Sequence, residues 1–379
     1  MVKMRYRNML ILLLLWIWPV CNLNANPPQF APVILPETPA RIHVEILPEI
    51  ELLSGVLYHT SWRGYSGLKG KGNAYFQKLG EFFKPYKKQR AFRIADRLTK
   101  KGFSYDAPPH FIASLGPLPD LAPVNGYDDY VVMRAGGRDN LDELRQALAD
   151  LANKSNFLAF WKSHQAAYER YLHKTAENFR AEMVVDWLSN FFGWHEKDFH
   201  LVLAPGLVPG GGYGATIRRS EGSEVIYQFI RENGKTEGEP EFPTGVNLEV
   251  MSLHEWGHAY VHTAFEKHSQ QLSKLDYFFQ PVAKLMAKQA YPTAETFFNE
   301  QILRAVTTLA ERQLYDEKTY QNGLAYQSKI GFYLTDFTIK QLDYYIEHRD
   351  KYERFDEFLP YLMERYEASR EELLKQAKM

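Results

Sequence analysis

Cysteine is nearly absent from this sequence, which has 379 residues and a single cysteine, Cys21. One cysteine cannot form a disulfide within the chain, so the disulfide scaffolds found in many small secreted domains are excluded. Because Cys21 lies in an N-terminal segment of unusual composition, the rest of the chain has to be stabilised by its hydrophobic core and by any metal it binds.

A charge excess of either sign is also missing. The chain has 45 Lys and Arg residues against 46 Asp and Glu residues, and its formal net charge is −1. Because nucleic-acid-binding proteins normally show a basic excess or a basic stripe, we expect no nucleic-acid partner. The sequence is 45% hydrophobic, 15% aromatic and 24% charged, which is typical of a globular protein with a substantial core.

A long apolar run occurs at the N-terminus, over residues 9–18, where it follows a basic start. A membrane span needs about 20 apolar residues, so this run is too short to cross a bilayer comfortably. A basic start followed by a short apolar run is typical of a secretory signal. We therefore predict a signal peptide over residues 1–25, cleaved before Asn26, and an exported protein that is periplasmic or secreted.

Two alternatives for this segment stay open. It can remain attached as an uncleaved anchor, or Cys21 can accept a lipid. Trp18, Pro19 and Val20 lack the small side chains that lipoprotein processing prefers, which disfavours the second alternative. Membrane association is therefore expected only through this segment or such a lipid anchor, and the sequence leaves the oligomeric state open.

Changes in composition divide the rest of the chain into three regions. Residues 26–40 are a proline-rich leader. Residues 41–195 have apolar residues three and four apart and are predicted to be mainly helical. A β-rich patch opens the third region, residues 196–379, in which helical periodicity returns at Val246 and persists to the C-terminus. We therefore predict a mostly helical α+β fold in which a small β-sheet precedes the C-terminal helices.

The same patterns predict individual elements. Alternating apolar residues predict strands at residues 42–46, 199–203, 215–219 and 225–230. Apolar spacings of three and four predict helices that include residues 74–83, 141–151 and 179–192. Breaks between elements are predicted at Gly102, at Pro108 and Pro109, and at Gly136 and Gly137.

Residues 209–214 form a glycine-rich run, Pro-Gly-Gly-Gly-Tyr-Gly. A phosphate-binding loop would end in Lys followed by Ser or Thr and would lead into a helix. This run lacks that ending and is followed by a predicted strand. We therefore interpret it as a bend that leads into an edge strand.

The chemistry of the chain is concentrated in residues 253–258, Leu-His-Glu-Trp-Gly-His. His254 and His258 are four residues apart, so they lie on one face of a helix and can converge on a single tetrahedral zinc ion. Glu255 lies beside them, where it can take a proton from water activated by the metal. Thr244 or Asn247 is predicted to cap this helix. A chance pair of histidines on a helix is the alternative.

One side of this helix is predicted to be buried. The apolar residues of the buried stripe are Val250, Leu253, Gly257, Val261 and Ala264. His262 continues the four-residue spacing, but it lies about 12 Å from His254 along the helix axis. Two nitrogen ligands of one zinc ion are only about 3.3 Å apart. His262 is therefore predicted to be packed or solvated rather than a metal ligand.

A third protein ligand is expected from a later helix, because a catalytic zinc keeps three protein ligands and one open position. Thr293 is a predicted N-cap, and the buried face of that helix comprises Phe297, Phe298, Ile302, Val306 and Leu309. Glu300 lies in this apolar setting, where a carboxylate is costly unless it is paired or coordinated. We therefore predict Glu300 as the third ligand, with Glu295 and Glu311 as alternatives that are expected to be more exposed.

Arg304 lies one turn after Glu300. It is placed to orient the Glu300 carboxylate from outside the metal site. An ordinary surface ion pair is the alternative for these two residues.

The His-Glu-x-x-His helix followed by a glutamate helix resembles the gluzincin class of zinc peptidases, of which thermolysin is the best-known member. The second half of the chain also resembles a bacterial family described only as a domain of unknown function with a predicted peptidase site. The matching stretches are residues 209–214, 254–258, 299–305, 331–333 and 348–352. The resemblance is weaker over residues 41–195 and does not cover the leader.

The resemblance implies a zincin-like catalytic region in which a small sheet is followed by a metal helix and a glutamate helix. His254, His258 and Glu300 would be the metal ligands, and Glu255 would be the catalytic base. In gluzincins an acidic residue commonly follows the glutamate by four positions, whereas this chain has Arg304 there. Arg304 therefore changes the expected surroundings of the third ligand, but it does not change Glu300 as the ligand that the resemblance implies.

The expected function is therefore that of an exported metallopeptidase with one zinc ion per chain and a peptide or protein substrate. Tyr333 is predicted to stabilise the oxyanion, with Tyr326 as the alternative. The strand near residues 213–217 is predicted to pair with an extended peptide, or else it is a plain sheet edge. Hydrolysis of a non-protein amide in the cell envelope, and non-catalytic binding by a retained zincin fold, are the other two hypotheses.

Overall fold

The structure is a computed structural model that describes residues 40–62, 72–208, 210–220, 222–232, 238–289 and 291–377. The predicted signal peptide and all but the last residue of the predicted leader lie outside these residues. Within the part of the chain that is described, no helix combines the length and the apolar character that a membrane crossing requires.

The described residues of the N-terminal region form one strand followed by helices, as the periodicity of the sequence predicts. The strand is β1 (Arg41–Glu45). The helices are α1 (Pro48–Leu57), α2 (Ala74–Phe83), α3 (Arg90–Thr99), α4 (Ala107–Ala113), α5 (Asp129–Ala135), α6 (Arg138–Ser155), α7 (Phe157–Ser163), α8 (Gln165–Ala176) and α9 (Ala181–Phe192), with a 3₁₀ turn at Lys84–Tyr86.

The C-terminal region begins with three strands and continues with helices. The strands are β2 (Asp198–Leu203), β3 (Gly212–Arg218) and β4 (Glu224–Ile230). The helices are α10 (Gly245–Glu266), α11 (Ser269–Ser273), α12 (Asp276–Phe279), α13 (Ala283–Lys288), α14 (Ala294–Leu314), α15 (Glu317–Lys329), α16 (Thr335–Glu347), α17 (Phe355–Ala368) and α18 (Arg370–Gln376), with a 3₁₀ turn at Gln280–Val282. The predicted fold class, mostly helical α+β with a small sheet before the metal and glutamate helices, is confirmed.

The four strands form one mixed sheet in the order β1-β2-β4-β3. β1 and β4 both run parallel to β2, whereas β3 is antiparallel to β4 and lies at an edge of the sheet. Successive side chains of a strand point to opposite faces. Phe199 contacts Trp256 of α10, with ring centroids 5.2 Å apart, so the face that carries Phe199 packs on α10. Asp198 and His200 therefore point to the other face.

Two elements differ from the sequence-based predictions. β3 begins at Gly212, inside the glycine-rich run, because glycine adopts extended backbone here and pairs with Ile230 of β4. Pro108 and Pro109 do not break a helix but begin one, since α4 has proline at its first positions. Proline is tolerated there because the first N–H groups of a helix have no partner within the helix. The boundary between the second and third predicted regions stays a prediction.

Candidate metal centre

Helix α10 carries the His-Glu-x-x-His motif and is fixed at its N-terminal end by a buried carboxylate. Glu249 accepts hydrogen bonds from Arg180 Nε at 2.9 Å and Arg180 Nη2 at 2.7 Å, and from the Tyr315 hydroxyl at 3.0 Å. Thr244 occupies the N-cap position, as predicted, although its side chain makes no capping hydrogen bond. Trp256 is fully buried, so one side of the helix is anchored in the core.

Gly257 allows helix α14 to approach the motif closely. A Cβ atom at this position would lie 2.6 Å from Leu303 Cδ1, which is closer than carbon atoms can approach. The glycine between the two histidines therefore makes room for Leu303. Glu300 lies one turn before Leu303 on the same face of α14, so this close packing brings the Glu300 carboxylate to the histidines.

The start of α14 is fixed as the sequence predicts. Thr293 is the N-cap residue and accepts a hydrogen bond from the Thr296 N–H, and the Thr296 side chain accepts from the Thr293 N–H in return. Such a capping box satisfies two N–H groups that would otherwise lack a partner. The helix register that places Glu300 is therefore set by its own first turn.

The structure brings His254, His258 and Glu300 together. His254 Nε2 lies 3.6 Å from Glu300 Oε2, and His258 Nε2 lies 3.4 Å from Glu300 Oε1. The three groups offer one ligand atom each, and these atoms all lie within 4.8 Å of one another. His262 is not a member of this group, although its ring centroid is 5.8 Å from that of His258. The spacing matches ligands that share one metal ion.

The three side chains are nearly buried but not sealed. The exposed fraction of the side chain is 14% for His254, 23% for His258 and 8% for Glu300. A structural zinc site is closed by four protein ligands, whereas a catalytic site keeps an open position. Three ligands with partly accessible imidazoles are the arrangement expected of a site that a small molecule can reach.

Arg304 holds the Glu300 carboxylate from within the protein. Its Nε donates to Glu300 Oε2 at 2.9 Å, and Arg304 is only 8% exposed. Its two terminal nitrogens donate to Gln327 Oε1 at 3.1 Å and to the Tyr291 hydroxyl at 3.3 Å, and its guanidinium lies over the Phe332 ring. The alternative of a surface ion pair is wrong, because the pair is buried and fixed by three further side chains.

The electrostatics of the site favour neutral imidazoles and an ionised third ligand. Burial lowers the pKa of His254 to about 3 and also lowers the pKa of His258. Burial alone would raise the pKa of Glu300, but its pKa falls to about 2, and the Arg304 guanidinium is the largest cause that lowers it. Metal ligation requires unprotonated histidine and ionised carboxylate, so all three groups are in the ligating state at neutral pH.

Glu255 is in a different electrostatic state from Glu300. Burial, together with the negative charge of Glu300, raises the pKa of Glu255 to about 8. Two neighbouring carboxylates whose environments separate their pKa values are typical of sites that divide acid–base work between them. A cation at the three ligands would stabilise the ionised form of Glu255 and lower this pKa.

The glycine-rich run lies directly on Glu255. A Cβ atom at Gly212 would be 3.2 Å from Glu255 Oε1, and one at Gly214 would be 3.2 Å from Glu255 Oε2 and from the Glu255 carbonyl oxygen. Both contacts are tighter than carbon normally makes with these atoms. Glycine at these positions therefore allows the edge strand β3 to cross the motif at close range.

The two tyrosines predicted to stabilise the oxyanion lie in different surroundings. The Tyr333 hydroxyl donates to the Phe278 carbonyl oxygen at 2.7 Å, so it is engaged with the backbone, and its role at the oxyanion stays a prediction. Tyr326 lies near Arg304, whose charge opposes the rise that burial causes in the Tyr326 pKa.

Glu311 is only 1% exposed, so the expectation that it would be exposed is wrong. It lies on the face of α14 toward Gly323 of α15.

Sequence reasoning missed three contributors to the site. Tyr291 and Gln327 bind Arg304, as described above, and Asp106 at the start of α4 adds a negative charge that raises the pKa of Glu255. These residues come from three separate segments of the chain. Their types and spacings alone carry no motif, so only the fold reveals them.

The fold and the site define a mostly helical α+β protein with a buried His254, His258 and Glu300 group that is consistent with a metal site. The chain belongs to the family described as Domain of unknown function (DUF4932), whose model matches residues 42–364. Comparison with curated proteins and with solved structures finds no match for the chain.

Proposed function

We propose that this protein is a zinc-dependent metallopeptidase that hydrolyses peptide bonds with Glu255 as general base. The observation that carries the proposal is the convergence of His254, His258 and Glu300 within 4.8 Å, with Glu255 next to the first histidine. The resemblance of the motif to gluzincins supports the same function. Export through the predicted N-terminal signal is part of this proposal.

The donor set fits zinc. Two imidazole nitrogens and one carboxylate oxygen are the ligands that catalytic zinc sites use, and they leave a position open for substrate. Nickel and other divalent transition metals accept the same donors. A bound zinc ion would supply Lewis acidity, which polarises a substrate carbonyl and lowers the pKa of water.

The protein's own residues would do the remaining work. Glu255 takes a proton from the attacking water and passes it to the leaving amine, and so it alternates between base and acid. Arg304 keeps the Glu300 carboxylate ionised and oriented through the bond from its Nε. Because Gly212 and Gly214 lie against Glu255, an extended peptide paired along the outer edge of β3 would pass close to the catalytic group.

Removal and return of the metal test the proposal. We expect the purified mature protein to cleave members of a peptide mixture, to lose this activity on treatment with a chelator, and to regain it when zinc is added back. Activity should depend on zinc because the three ligands contribute to hydrolysis only through the ion that they bind. Peptide cleavage is measured by mass spectrometry of the mixture.

Cell-wall fragments assayed in parallel separate the rival functions. Zinc-dependent release of products from the fragments, with no peptide cleaved, would replace the peptidase by a hydrolase of envelope amides. Binding of zinc without hydrolysis of either substrate set would support a non-catalytic binding protein. That third function is disfavoured by Glu255, since a binding protein needs no base at this position.

Gly214→Ala is expected to lower kcat/KM for peptide cleavage by about 10- to 100-fold, because small displacements of a catalytic group have effects of this size. The added methyl group would press on Glu255 at 3.2 Å, while His258 Cδ2 is 3.7 Å away, at ordinary contact distance. Zinc content should therefore stay close to that of the wild type. Peptide cleavage and metal analysis of the same sample check both parts.

Gly211→Ala is the matched control for this variant. A Cβ atom at Gly211 meets nothing within 4 Å, although the residue belongs to the same glycine-rich run. Its activity should remain within about twofold of the wild type. Equal activity in the Gly214→Ala and Gly211→Ala variants would contradict the idea that β3 positions Glu255.

A further inference from the structure

The geometry points to a second metal site, formed by His43, Asp198 and His200 on the sheet, which we propose binds a transition-metal ion such as zinc independently of α10 and α14. The three side chains offer one ligand atom each, and these atoms all lie within 4.8 Å of one another. Two imidazoles and one carboxylate repeat the donor set of the first site.

Strand register places these residues together. β1 and β2 are parallel and in contact, and His43 is the direct partner of His200. Asp198 precedes His200 by two residues, so its side chain lies on the same face of the sheet. The two imidazole rings stack with centroids 4.4 Å apart and an angle of 13° between their planes. The cluster is therefore held by backbone pairing and not by flexible loops.

One oxygen of Asp198 points into the gap between the two imidazoles. Asp198 Oδ1 lies 3.5 Å from His43 Nε2 and 3.4 Å from His200 Nε2. Asp198 is only 3% exposed, and Oδ1 has no hydrogen-bond partner among the described residues. A buried carboxylate oxygen without a partner is costly, and a shared cation would satisfy it.

The other carboxylate oxygen of Asp198 is already occupied. Asp198 Oδ2 accepts hydrogen bonds from Arg41 Nη2 at 3.0 Å and from Arg219 Nη2 at 2.6 Å. These bonds hold the carboxylate in place and balance its charge. They leave Oδ1 as the ligand atom, so the arginines orient the carboxylate in the way Arg304 orients Glu300.

Glu45 supplies a further feature of a metal-binding histidine. His200 Nδ1 lies 2.5 Å from Glu45 Oε1, which places the ring hydrogen on Nδ1 and leaves the lone pair on Nε2. A carboxylate bound to the far nitrogen of a histidine is the usual support of a metal ligand, because it fixes the ring and strengthens the donor. Nε2 is the atom that faces Asp198 Oδ1.

This cluster is separate from the first site. Gly212 and Gly214 on one face of the sheet contact Glu255 of α10, whereas Asp198 and His200 lie on the other face, as the packing of Phe199 on Trp256 shows. His43 is 45% exposed, so an ion can reach the cluster from solvent. A metal held there would join β1 to β2 across a sequence separation of 157 residues and so stabilise the fold.

The test measures zinc content and zinc-dependent stability of the mature full-length protein. We expect about two zinc equivalents in the wild type. About one is expected in Glu300→Gln, which impairs only the first site, and about one in His43→Phe, which impairs only the second. His43→Phe keeps a ring to stack on His200 but offers no ligand atom, and because His43 is exposed the variant should keep the fold. His173→Phe, at an exposed histidine on α8, is the matched control.

The zinc contents of the variants test the two proposed metal sites separately. Loss of one equivalent in His43→Phe, with peptide cleavage and the His173→Phe control unchanged, supports the second site. Equal zinc content in His43→Phe and the wild type overturns it. One equivalent that persists in Glu300→Gln and disappears in His43→Phe supports the second site and contradicts the proposed function instead. A zinc-induced rise in Tm in Glu300→Gln, absent from the double variant with His43→Phe, gives an independent readout.

Discussion

Glu255→Gln should reduce peptide hydrolysis by about a thousandfold or more while leaving zinc content unchanged. General-base catalysis typically contributes about 10²- to 10⁴-fold, and an amide cannot accept the proton from water. Glutamine has nearly the same shape as glutamate, so it fits below Gly212 and Gly214 without pressing on β3. The ligands His254, His258 and Glu300 keep their positions, which is why metal binding should survive.

Glu266→Gln on the same helix is the matched control. Glu266 is exposed, pairs with Arg218 at 2.9 Å and is the last residue of α10, eight residues after His258. Loss of this ion pair in Glu266→Gln should leave the rate of peptide hydrolysis within about twofold of the wild type, as expected for a surface ion pair. Activity of Glu255→Gln equal to that of Glu266→Gln would rule out Glu255 as the base.

The pH dependence of hydrolysis should report the same group. Glu255 acts as a base only when it is ionised, and burial with the charge of Glu300 raises its pKa to about 8 in the metal-free protein. Bound zinc lowers that pKa, so activity should rise with pH through a midpoint below 8. The wild type and the residual activity of Glu255→Gln, measured across the same pH range, show whether this rise depends on the carboxylate.

Much of the fold was predictable because its elements are set by local pattern. Helix α2 has the predicted bounds, residues 74–83, since its apolar spacing and the Asn73 cap lie within a short stretch of sequence. The proximity of His254 and His258 was predictable for the same reason, because a spacing of four residues places two side chains on one helix face. Thr293 fixes α14 through its own first turn.

What the sequence could not show depends on contacts between distant segments. Tyr291 and Gln327 reach Arg304 from different elements, and no spacing in the chain signals their meeting. Glu311 was expected to be exposed because charged residues usually are, yet α15 covers it through Gly323. The pairing of β1 with β2, which assembles the second histidine cluster, likewise became visible only in the folded sheet.

Gly214, in the glycine-rich run, is one position at which the sequence could not show a contact with a distant segment. Its composition predicts a bend and an edge strand, and the structure has both. Composition does not reveal why glycine is required at Gly214. The reason is the 3.2 Å approach of Glu255, which lies 41 residues later in the numbering and on another element. Predicting this constraint needs the position of β3 over α10.

Glu300→Gln should lower zinc affinity by more than about 100-fold, beyond the 10- to 100-fold typical of changes outside the ligand set. The amide oxygen can still accept from Arg304 Nε, so the packing of α14 should survive the change. What is lost is the negative charge that Arg304 stabilises, since its guanidinium is the largest cause that lowers the pKa of Glu300, to about 2. Zinc titration with a competing chelator measures the difference.

Glu311→Gln separates the loss of a ligand from the loss of a buried carboxyl group. Glu311 lies on the same helix, is as buried as Glu300, and was the alternative third ligand. Burial raises its pKa well above the usual value and so favours the protonated form, which means that glutamine removes less charge here than at Glu300. Zinc affinity in this variant should match the wild type. Because both variants replace a buried carboxyl group on α14, loss of zinc from Glu311→Gln as well would assign the effect to helix packing, and loss from Glu300→Gln alone assigns it to the ligand.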